Sequence, residues 1–474
     1  MTTIYDKGIA YKNFNGDIWY RNFPNNGGTT TAEPLPGEAG WGCGVYPGND
    51  LEDTLGLIPM EGCDNPNSDN YGNYQNADGS VFCFIPKFYY SFNCKPTDAL
   101  YQDVLTYSKL TAEQVAEIVN RSPNNYFVIA PGSAFTNEEE ANAHGFILHR
   151  AFIDSGVEKS GFFIMKYLAS KGIDGTSNKA LSVKNGIIIW LVDISGCNNS
   201  SDMPSCTGAL KDAIILSKAI NPNFNCASGF MYAALALQSK FLGTIAKSTE
   251  QCAWYDPNLI INFPKGCNNN NSEDINDSTV KYIIDSIDIP YGIASITINK
   301  PKTGSGTPFN KTTHNGQVSG VADLNGCTYQ AVTGVGWTGS RILKDSAKLS
   351  DITVDNVDNQ SASIYGTAIV YANNPYYWGN TSNTSWRKAM NGTSRALEGI
   401  YPVKGSQGCS KNGTDEFGKD YCKMNTGGSA LLCSGYESSN SSAGVFSRMD
   451  HNWSDRNWSY MGFGYGFRTA GYAS

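Results

Sequence analysis

Side chains capable of acid, base or nucleophilic chemistry are present, but they do not form a recognisable catalytic arrangement. The chain has 13 Cys and 4 His, with no CxxC pair, no Cys/His spacing of the zinc type and no GxSxG elbow. Glycosidases need two carboxylates that flank the scissile bond. Asp256, Asp323, Asp450 and Asp455 are available, but their spacing selects no pair. His314, within THNGQ, is predicted to be a hydrogen-bonded loop residue. We expect no catalytic residue and no cofactor, and the sequence leaves any metal ligand unknown.

One segment near the C-terminus has the composition of a recognition surface. From Leu431 it runs LLCSGYESSNSSAGVFSRMDHNWSDRNWSYMGFGYGF. Tyr and Trp supply large rigid contact area, and Ser, Asn and Asp supply adaptable hydrogen bonds, as in antibody paratopes. Trp453, Trp458 and Tyr460 are the candidate anchors. The alternative is a polar surface loop whose aromatic rings pack inward. The predicted ligand-binding residues are Tyr436, Ser438, Asn440, Asp450, His451, Asn452, Trp453, Ser454, Asp455, Asn457, Trp458, Ser459 and Tyr460.

The elements that must hold this segment are predicted mainly upstream of it. Apolar residues three and four apart indicate helices at 111–120 and 209–220, and FMYAALALQSKFLGTIAKS from Phe230 indicates a central helix that is buried on all sides. GFFIMKY from Gly161 and GIIIWLVDI from Gly186 are predicted interior strands, and GSVFCFIPKFYYSF from Gly79 is a predicted half-buried strand. From residue 268 onward, strands joined by long loops are expected, so the fold class is α+β.

The first 80 residues are rich in Gly, Asn, Asp and Pro, with little hydrophobic periodicity. We predict that 1–80 is a loop-rich segment with few internal contacts, ordered by neighbouring subunits or by a larger particle; a flexible linker is the alternative. The 13 Cys cannot all pair internally. Most are expected to be small buried hydrophobes in a reducing cytosol, with a Cys409–Cys422 pair as the alternative.

Charge and hydropathy exclude two classes of partner. The net charge is −8 and charged residues make up 16% of the chain, against about 25% in an average soluble protein. No Lys/Arg block supplies the basic footprint that phosphate binding needs. The longest apolar runs, Gly186 to Ile194 and Phe230 to Leu237, are far shorter than the roughly 20 residues of a membrane span. We therefore expect no nucleic-acid partner and no membrane insertion.

Short segments in a particular order resemble a known group. They are FIPKFYY (84–90), GFFIMKY (161–167), CAWYD (252–256), NFPKGCNN (262–269), THNGQ (313–317), GVADLNG (320–326) and GYGFRTAGY (464–472). This order is similar to phage tail proteins with a C-type-lectin-like domain of the sulfatase-modifying-factor type. The segment 431–465 resembles the variable region of phage proteins that retroelements diversify.

The resemblance implies a C-type-lectin-like domain over 81–474, with long loops and insertions, after the attachment segment 1–80. Asn325-Gly326 resembles that group's hairpin turn, which needs two positive-φ residues. In Gly466-Phe467-Arg468, which resembles the closing strand, Phe467 would fill the core and Arg468 would bond to carbonyls or a carboxylate.

The implied function is a virion adhesin, a tail fibre or receptor-binding protein that attaches to a host cell-surface receptor, either protein or glycan. Its partners would be other virion proteins, through the N-terminal segment, and two further copies in a homotrimer. A virion decoration or head-fibre protein and a surface-glycan depolymerase are the alternatives. The group's oxidases use two cysteines five positions apart after Gly-Gly-Ser. Here GGSALLC ends at Cys433, and Ser438 stands at the second position, so no two-thiolate copper site is expected.

Overall fold

The structure is a computed structural model. It describes residues 9–12, 18–21, 33–92, 94–121, 127–189, 191, 209–252, 255, 284–291, 294–305, 309–324, 328–334, 343–357, 364, 377–378, 384–387, 402–404, 422–423, 430–433, 445, 448–451 and 466–473. The α-helices are α1 Leu51–Leu55, α2 Tyr101–Ser108, α3 Ala112–Arg121, α4 Glu138–Ala143, α5 Ala209–Ile220 and α6 Gly229–Ile245. Short 3-10 turns lie at Gly132–Ala134, Arg150–Phe152, Phe309–Thr312 and Leu349–Asp351.

The strands form several sheets. They are β1 Ile9–Lys12, β2 Ile18–Arg21, β3 Ile58–Pro59, β4 Asn73–Gln75, β5 Val81–Pro86, β6 Phe88–Phe92, β7 Phe127–Pro131, β8 Ile147–Leu148, β9 Ile153–Asp154, β10 Val157–Glu158, β11 Gly161–Met165, β12 Asn225–Cys226, β13 Ile284–Tyr291, β14 Ala294–Pro301, β15 Gln330–Ala331, β16 Tyr377–Trp378, β17 Thr384–Arg387, β18 Pro402–Lys404, β19 Cys422–Lys423, β20 Ala430–Cys433, β21 Arg448–His451 and β22 Thr469–Gly471. Helices together with mostly antiparallel sheets confirm the α+β class.

The largest sheet has the order β12-β22-β11-β5-β4-β3, and all its neighbours are antiparallel. GFFIM forms the predicted interior strand β11, and all five of its residues are buried. In β5, Phe82 stacks on Phe224 with ring centroids 4.9 Å apart, while the Cys83 thiol donates to the Ser319 carbonyl. Both faces of β5 are therefore covered, and the predicted half-buried strand is wrong on that point.

The run from Gly79 also forms two strands where one was predicted. β5 ends at Pro86, and β6 begins at Phe88 in a second sheet of order β7-β6-β8. Proline has no N–H to donate to a ladder, so pairing changes most readily at that residue. Lys87 is the single residue between the two strands.

Helix α6 is central, as predicted. Ser228 caps its N-terminus by accepting from the Met231 N–H at 3.4 Å. Every residue from Gly229 to Leu242 is buried. The other two predicted helices are also present, as α3 and α5, within one residue of the predicted bounds.

The interior strand predicted from Gly186 is not found among the described residues of that run. Ile187 and Ile188 form only isolated bridges, to Lys302 and Ser170. Ile188 and Ile189 are nevertheless buried. Apolar character predicts burial correctly here, but it does not specify a strand partner.

The sheet crosses the boundary predicted at residue 80. β3 and β4 pair with each other, and β4 pairs with β5. Trp41, Tyr71 and Tyr74 are buried in the same core as the rest of the domain. A few large aromatic rings bury much area each, so a glycine-rich segment without periodicity contributes to this core. Residues 33–80 therefore have more internal contacts than the sequence indicated.

Candidate functional site

The structure describes the strands that border the predicted binding segment, together with a few residues inside it. β20 and β21 are antiparallel, with Leu431 opposite Asp450 and Ala430 opposite His451. Asp450 and His451 thus lie on a strand of a four-stranded sheet of order β15-β20-β21-β19. Tyr436, Ser438, Asn440, Asn452, Trp453, Ser454, Asp455, Asn457, Trp458, Ser459 and Tyr460 lie outside the described residues.

Both ends of the stretch 434–465 meet at one short strand. On one edge of β15, Gln330 pairs with Cys433. On the other edge, Gly466 forms a parallel bridge to Gln330, donating to the Tyr329 carbonyl at 2.8 Å and accepting from the Ala331 N–H at 2.9 Å. The residues on either side of 434–465 therefore pair with opposite edges of the same strand, β15.

Gln330 is held from inside the core. It is fully buried, and its Oε1 accepts from the Tyr232 hydroxyl of α6 at 2.5 Å and from Arg468 Nε at 2.9 Å. Its Nε2 donates to the Asp323 carbonyl at 3.2 Å. Neither Tyr232 nor Gln330 was singled out from the sequence, because they are 98 residues apart and neither belongs to a motif.

Arg468 bonds to carbonyls, as predicted. Its Nη1 donates to the carbonyls of Met165 and Lys166 at 3.1 and 3.0 Å, and its Nη2 donates to the Ala322 carbonyl. Arg468 and Phe467 are both fully buried. The guanidinium is a structural clamp that joins the chain after Gly466 to β11 and to the loop at 322.

Asp323 is a buried carboxyl beside this clamp. Its two oxygens accept from the Gly304 N–H at 2.9 and 3.0 Å. Burial raises its pKa to about 6, while Arg468 and these hydrogen bonds oppose that rise. Asp323 has a φ of 58°, and the predicted turn residues Asn325 and Gly326 lie outside the described residues.

His314 is a neutral structural residue in a tight environment, which confirms its prediction as a hydrogen-bonded loop residue. Its Nδ1 accepts from the Val321 N–H at 3.0 Å, so its Nε2–H is the donor to the Gly42 carbonyl at 3.0 Å. The side chain is fully buried. Burial lowers its pKa to about 4, the charge of Arg468 adds to this effect, and the hydrogen bond to the Gly42 carbonyl opposes it.

The His314 environment predicts a pH-dependent stability. The folded pKa of about 4 lies below the ordinary 6.5, so the unfolded chain binds more protons between these pH values and stability falls as pH drops from 6.5 to 4. We expect His314→Gln, which preserves one acceptor and one donor, to lack this loss, a difference of about 3 kcal/mol. Urea unfolding of both proteins from pH 7.5 to 4 checks it. Asp323 titrates in both and cancels, so parallel pH profiles would contradict the prediction.

Among the described cysteines, Cys43, Cys63, Cys83 and Cys94 are free thiols, and all of these but Cys94 are buried. Cys226 and Cys252 are buried as well. This agrees with the expectation of small buried hydrophobes. Cys409 lies outside the described residues, and only the backbone of Cys422 is described, in β19.

No protein-family model matches the sequence, and no curated protein matches it. In the described part of the chain, no cluster of three or more His, Cys, Asp or Glu side chains could hold a metal ion. Over the same residues, no helix combines the length and apolar character needed to cross a bilayer.

Proposed function

We propose that this chain is a virion adhesin of a tailed phage, and that it attaches to the host cell surface through side chains of 436–460 displayed on a C-type-lectin-like scaffold. The observation that carries the proposal is the closure of 434–465 on β15. Gln330 pairs with Cys433 before the segment and with Gly466 after it. Binding residues commonly lie on loops held by a rigid scaffold.

The support of the segment consists of β15 with the side chains of Gln330 and Arg468. We infer that this support keeps its structure while the displayed residues change. Gln330 and Arg468 are fully buried and bond to each other, and Gln330 also accepts from Tyr232 of α6. A side chain at Gly466 would require Thr328 to shift, because an added Cβ would lie 2.7 Å from Thr328 Cγ2. The contacts named here join Tyr232, Gln330 and Arg468 and involve no described residue of 436–460, which supports the comparison with a variable region.

The proposed partners follow from the same interpretation. The receptor is a host surface protein or glycan, the adhesin is a homotrimer, and 1–80 contacts other virion proteins. Avidity is the physical reason for a trimer, since tethered weak sites gain about 10²–10⁴ in apparent affinity without new contacts. Residues 33–80 would have both roles, since they also contribute β3 and β4 to the central sheet.

We expect Trp458→Ala and Tyr460→Ala to weaken adsorption while leaving the fold intact. Truncating a hot-spot aromatic at an interface costs about 2 kcal/mol or more, roughly thirtyfold in affinity. The measurement is the adsorption rate of virions that carry each variant, beside the melting temperature of the purified chain. Trp386→Ala, which removes a Trp ring from β17, is the matched control and should adsorb normally.

Two outcomes would contradict the proposal. A sharp fall in melting temperature with Trp458→Ala would place the ring in the core, so that lost adsorption only followed lost structure. Normal adsorption and stability in both variants would remove 436–460 as the contact. If Trp386→Ala then lost adsorption, the segment around Asn383 would become the candidate.

A further inference from the structure

Two buried thiols face the same carbonyl in the core. Cys43 Sγ lies 3.5 Å from the Ser319 carbonyl oxygen and Cys83 Sγ lies 3.4 Å from it. The two thiols are also close enough to hydrogen-bond each other. Cys83 lies in β5, and Cys43 precedes Gly44, whose N–H donates to the Phe84 carbonyl at 3.2 Å. A disulfide requires two sulfur atoms that approach each other, and the pairing of these two segments provides that approach.

A buried ammonium group lies beside the two thiols. Lys166 directly follows β11 and is 3% exposed. Its Nζ donates to Asn73 Oδ1 at 2.6 Å and to the Asp69 carbonyl at 3.4 Å. Burial lowers the pKa of Lys166, while the charges of the neighbouring Cys83 and Cys43 oppose this. A buried cation is costly unless an anion compensates it, and a thiolate is an anion that this site can form.

The surroundings make Cys83 the more acidic thiol of the two. The hydrogen bond between the thiols raises the pKa of Cys43. Burial opposes the ionisation of Cys83, but the hydrogen bond from Cys43 and the charge of Lys166 outweigh it, so the pKa of Cys83 is lowered. Asn73 Nδ2 also donates to Cys83 Sγ, at 3.5 Å. By contrast, burial raises the pKa of Cys63 to about 12. Since the thiolate is the reactive form, Cys83 is the expected nucleophile.

We propose that Cys43 and Cys83 form a peroxide-sensitive dithiol, which hydrogen peroxide converts into a disulfide between 33–80 and β5. The Cys83 thiolate attacks one peroxide oxygen, the O–O bond breaks, and a sulfenic acid forms on Cys83. The departing hydroxide takes up the proton that Cys83 released. The Cys43 sulfur then bonds to the Cys83 sulfur, the S–O bond breaks, and the hydroxyl leaves with the Cys43 proton as water. Two thiols are oxidised, and one peroxide is reduced to two waters.

The burial of the site favours a small oxidant, and the position of the bond favours a more stable product. Cys43 is 2% exposed and Cys83 is fully buried, so an oxidant must enter through local opening of the chain. Hydrogen peroxide is close to water in size. The bond would close a loop that contains α1, β3 and β4, which restricts the unfolded chain. A chain that is not an adhesin would form the same bond.

The test treats the full chain, purified in reduced form, with hydrogen peroxide. Remaining thiols are then alkylated under denaturing conditions, and the peptides are mapped by mass spectrometry. We expect the linked Cys43 and Cys83 peptides with the loss of two hydrogens, and a melting temperature that rises on oxidation and returns with dithiothreitol. Cys43→Ser should abolish that rise and stop the reaction at a sulfenic acid on Cys83, which dimedone traps. Cys63→Ser is the matched control and should leave the rate of Cys43–Cys83 bond formation unchanged.

The rate of oxidation tests the role of the charge. Lys166→Met should slow it about tenfold or more, because a rise of one unit in the thiol pKa lowers the thiolate fraction about tenfold. The pH profile of the unaltered chain is a second measurement that needs no variant. Cys43, Lys166 and Arg468 face Cys83, and together they should give a half-maximal rate below pH 9.0, the ordinary pKa of this thiol. A half-maximal rate at or above that pH, a disulfide to Cys63 instead, or no Cys43–Cys83 bond in the folded chain would overturn the proposal.

Discussion

We expect Leu235→Asp to yield no soluble folded protein. Leu235 lies in the middle of α6 and is fully buried. Removing its burial costs about 1.5–3 kcal/mol, and enclosing an unpaired carboxylate costs several kcal/mol more. The sum is comparable to the whole stability of a typical domain, about 5–15 kcal/mol. The measurement is the fraction of expressed chain recovered as a monodisperse species by size-exclusion chromatography.

Two variants separate this effect from general intolerance of substitution. Leu235→Met conserves volume and should cost less than about 1.5 kcal/mol. Ile215→Asp makes the corresponding change on α5 at a side chain that is 43% exposed, and it should leave the chain soluble and folded. A monodisperse Leu235→Asp protein with an ordinary melting temperature would contradict the central position of α6.

We expect Arg468→Met to destabilise the chain by about 3–5 kcal/mol, comparable to the cost of leaving a buried charge uncompensated. Three carbonyls lose the hydrogen bond from Arg468, and the Gln330 amide oxygen keeps only the one from the Tyr232 hydroxyl. The buried carboxylate of Asp323 also loses the cation that holds its pKa down. Urea unfolding at neutral pH measures the loss.

A double variant tests the stated cause. Asp323→Asn removes the charge, and the amide oxygen can still accept from Gly304. In the Arg468→Met background this second change should therefore recover part of the lost stability, whereas in the wild-type background it should not stabilise to the same degree. Additive costs would show that Asp323 and Arg468 do not interact, and that the lost carbonyl contacts account for the whole effect.

Local patterns were sufficient for the elements whose burial is uniform. The apolar run from Phe230 predicted α6, and GFFIM predicted β11. In each case the buried side chains follow one another within a single element, so the local sequence is sufficient to show the burial. The roles of Phe467 and Arg468 were also predictable once the closing strand was recognised by its resemblance. The composition of 436–460 identified a candidate surface, whose side-chain positions stay a prediction.

The strand at Gly186 and the boundary at residue 80 show where local pattern fails. Ile188 is buried without belonging to a strand. An apolar side chain favours burial away from water, but it does not determine which strand its backbone pairs with. Trp41 and Tyr74 enter the core from a segment with no periodicity. Single large rings need only one neighbour each, so they leave no repeating pattern.

The sequence by itself determined the α+β class, the central helix and the composition of the candidate surface. Only the tertiary structure decided that Tyr232, Gln330 and Arg468 meet, and that the thiols of Cys43 and Cys83 share the Ser319 carbonyl. The sequence shows where each cysteine stands, but which thiols meet depends on segments far away in the chain. Long-range packing sets those contacts, since side-chain hydrogen bonds form between whichever groups the folded chain brings within reach.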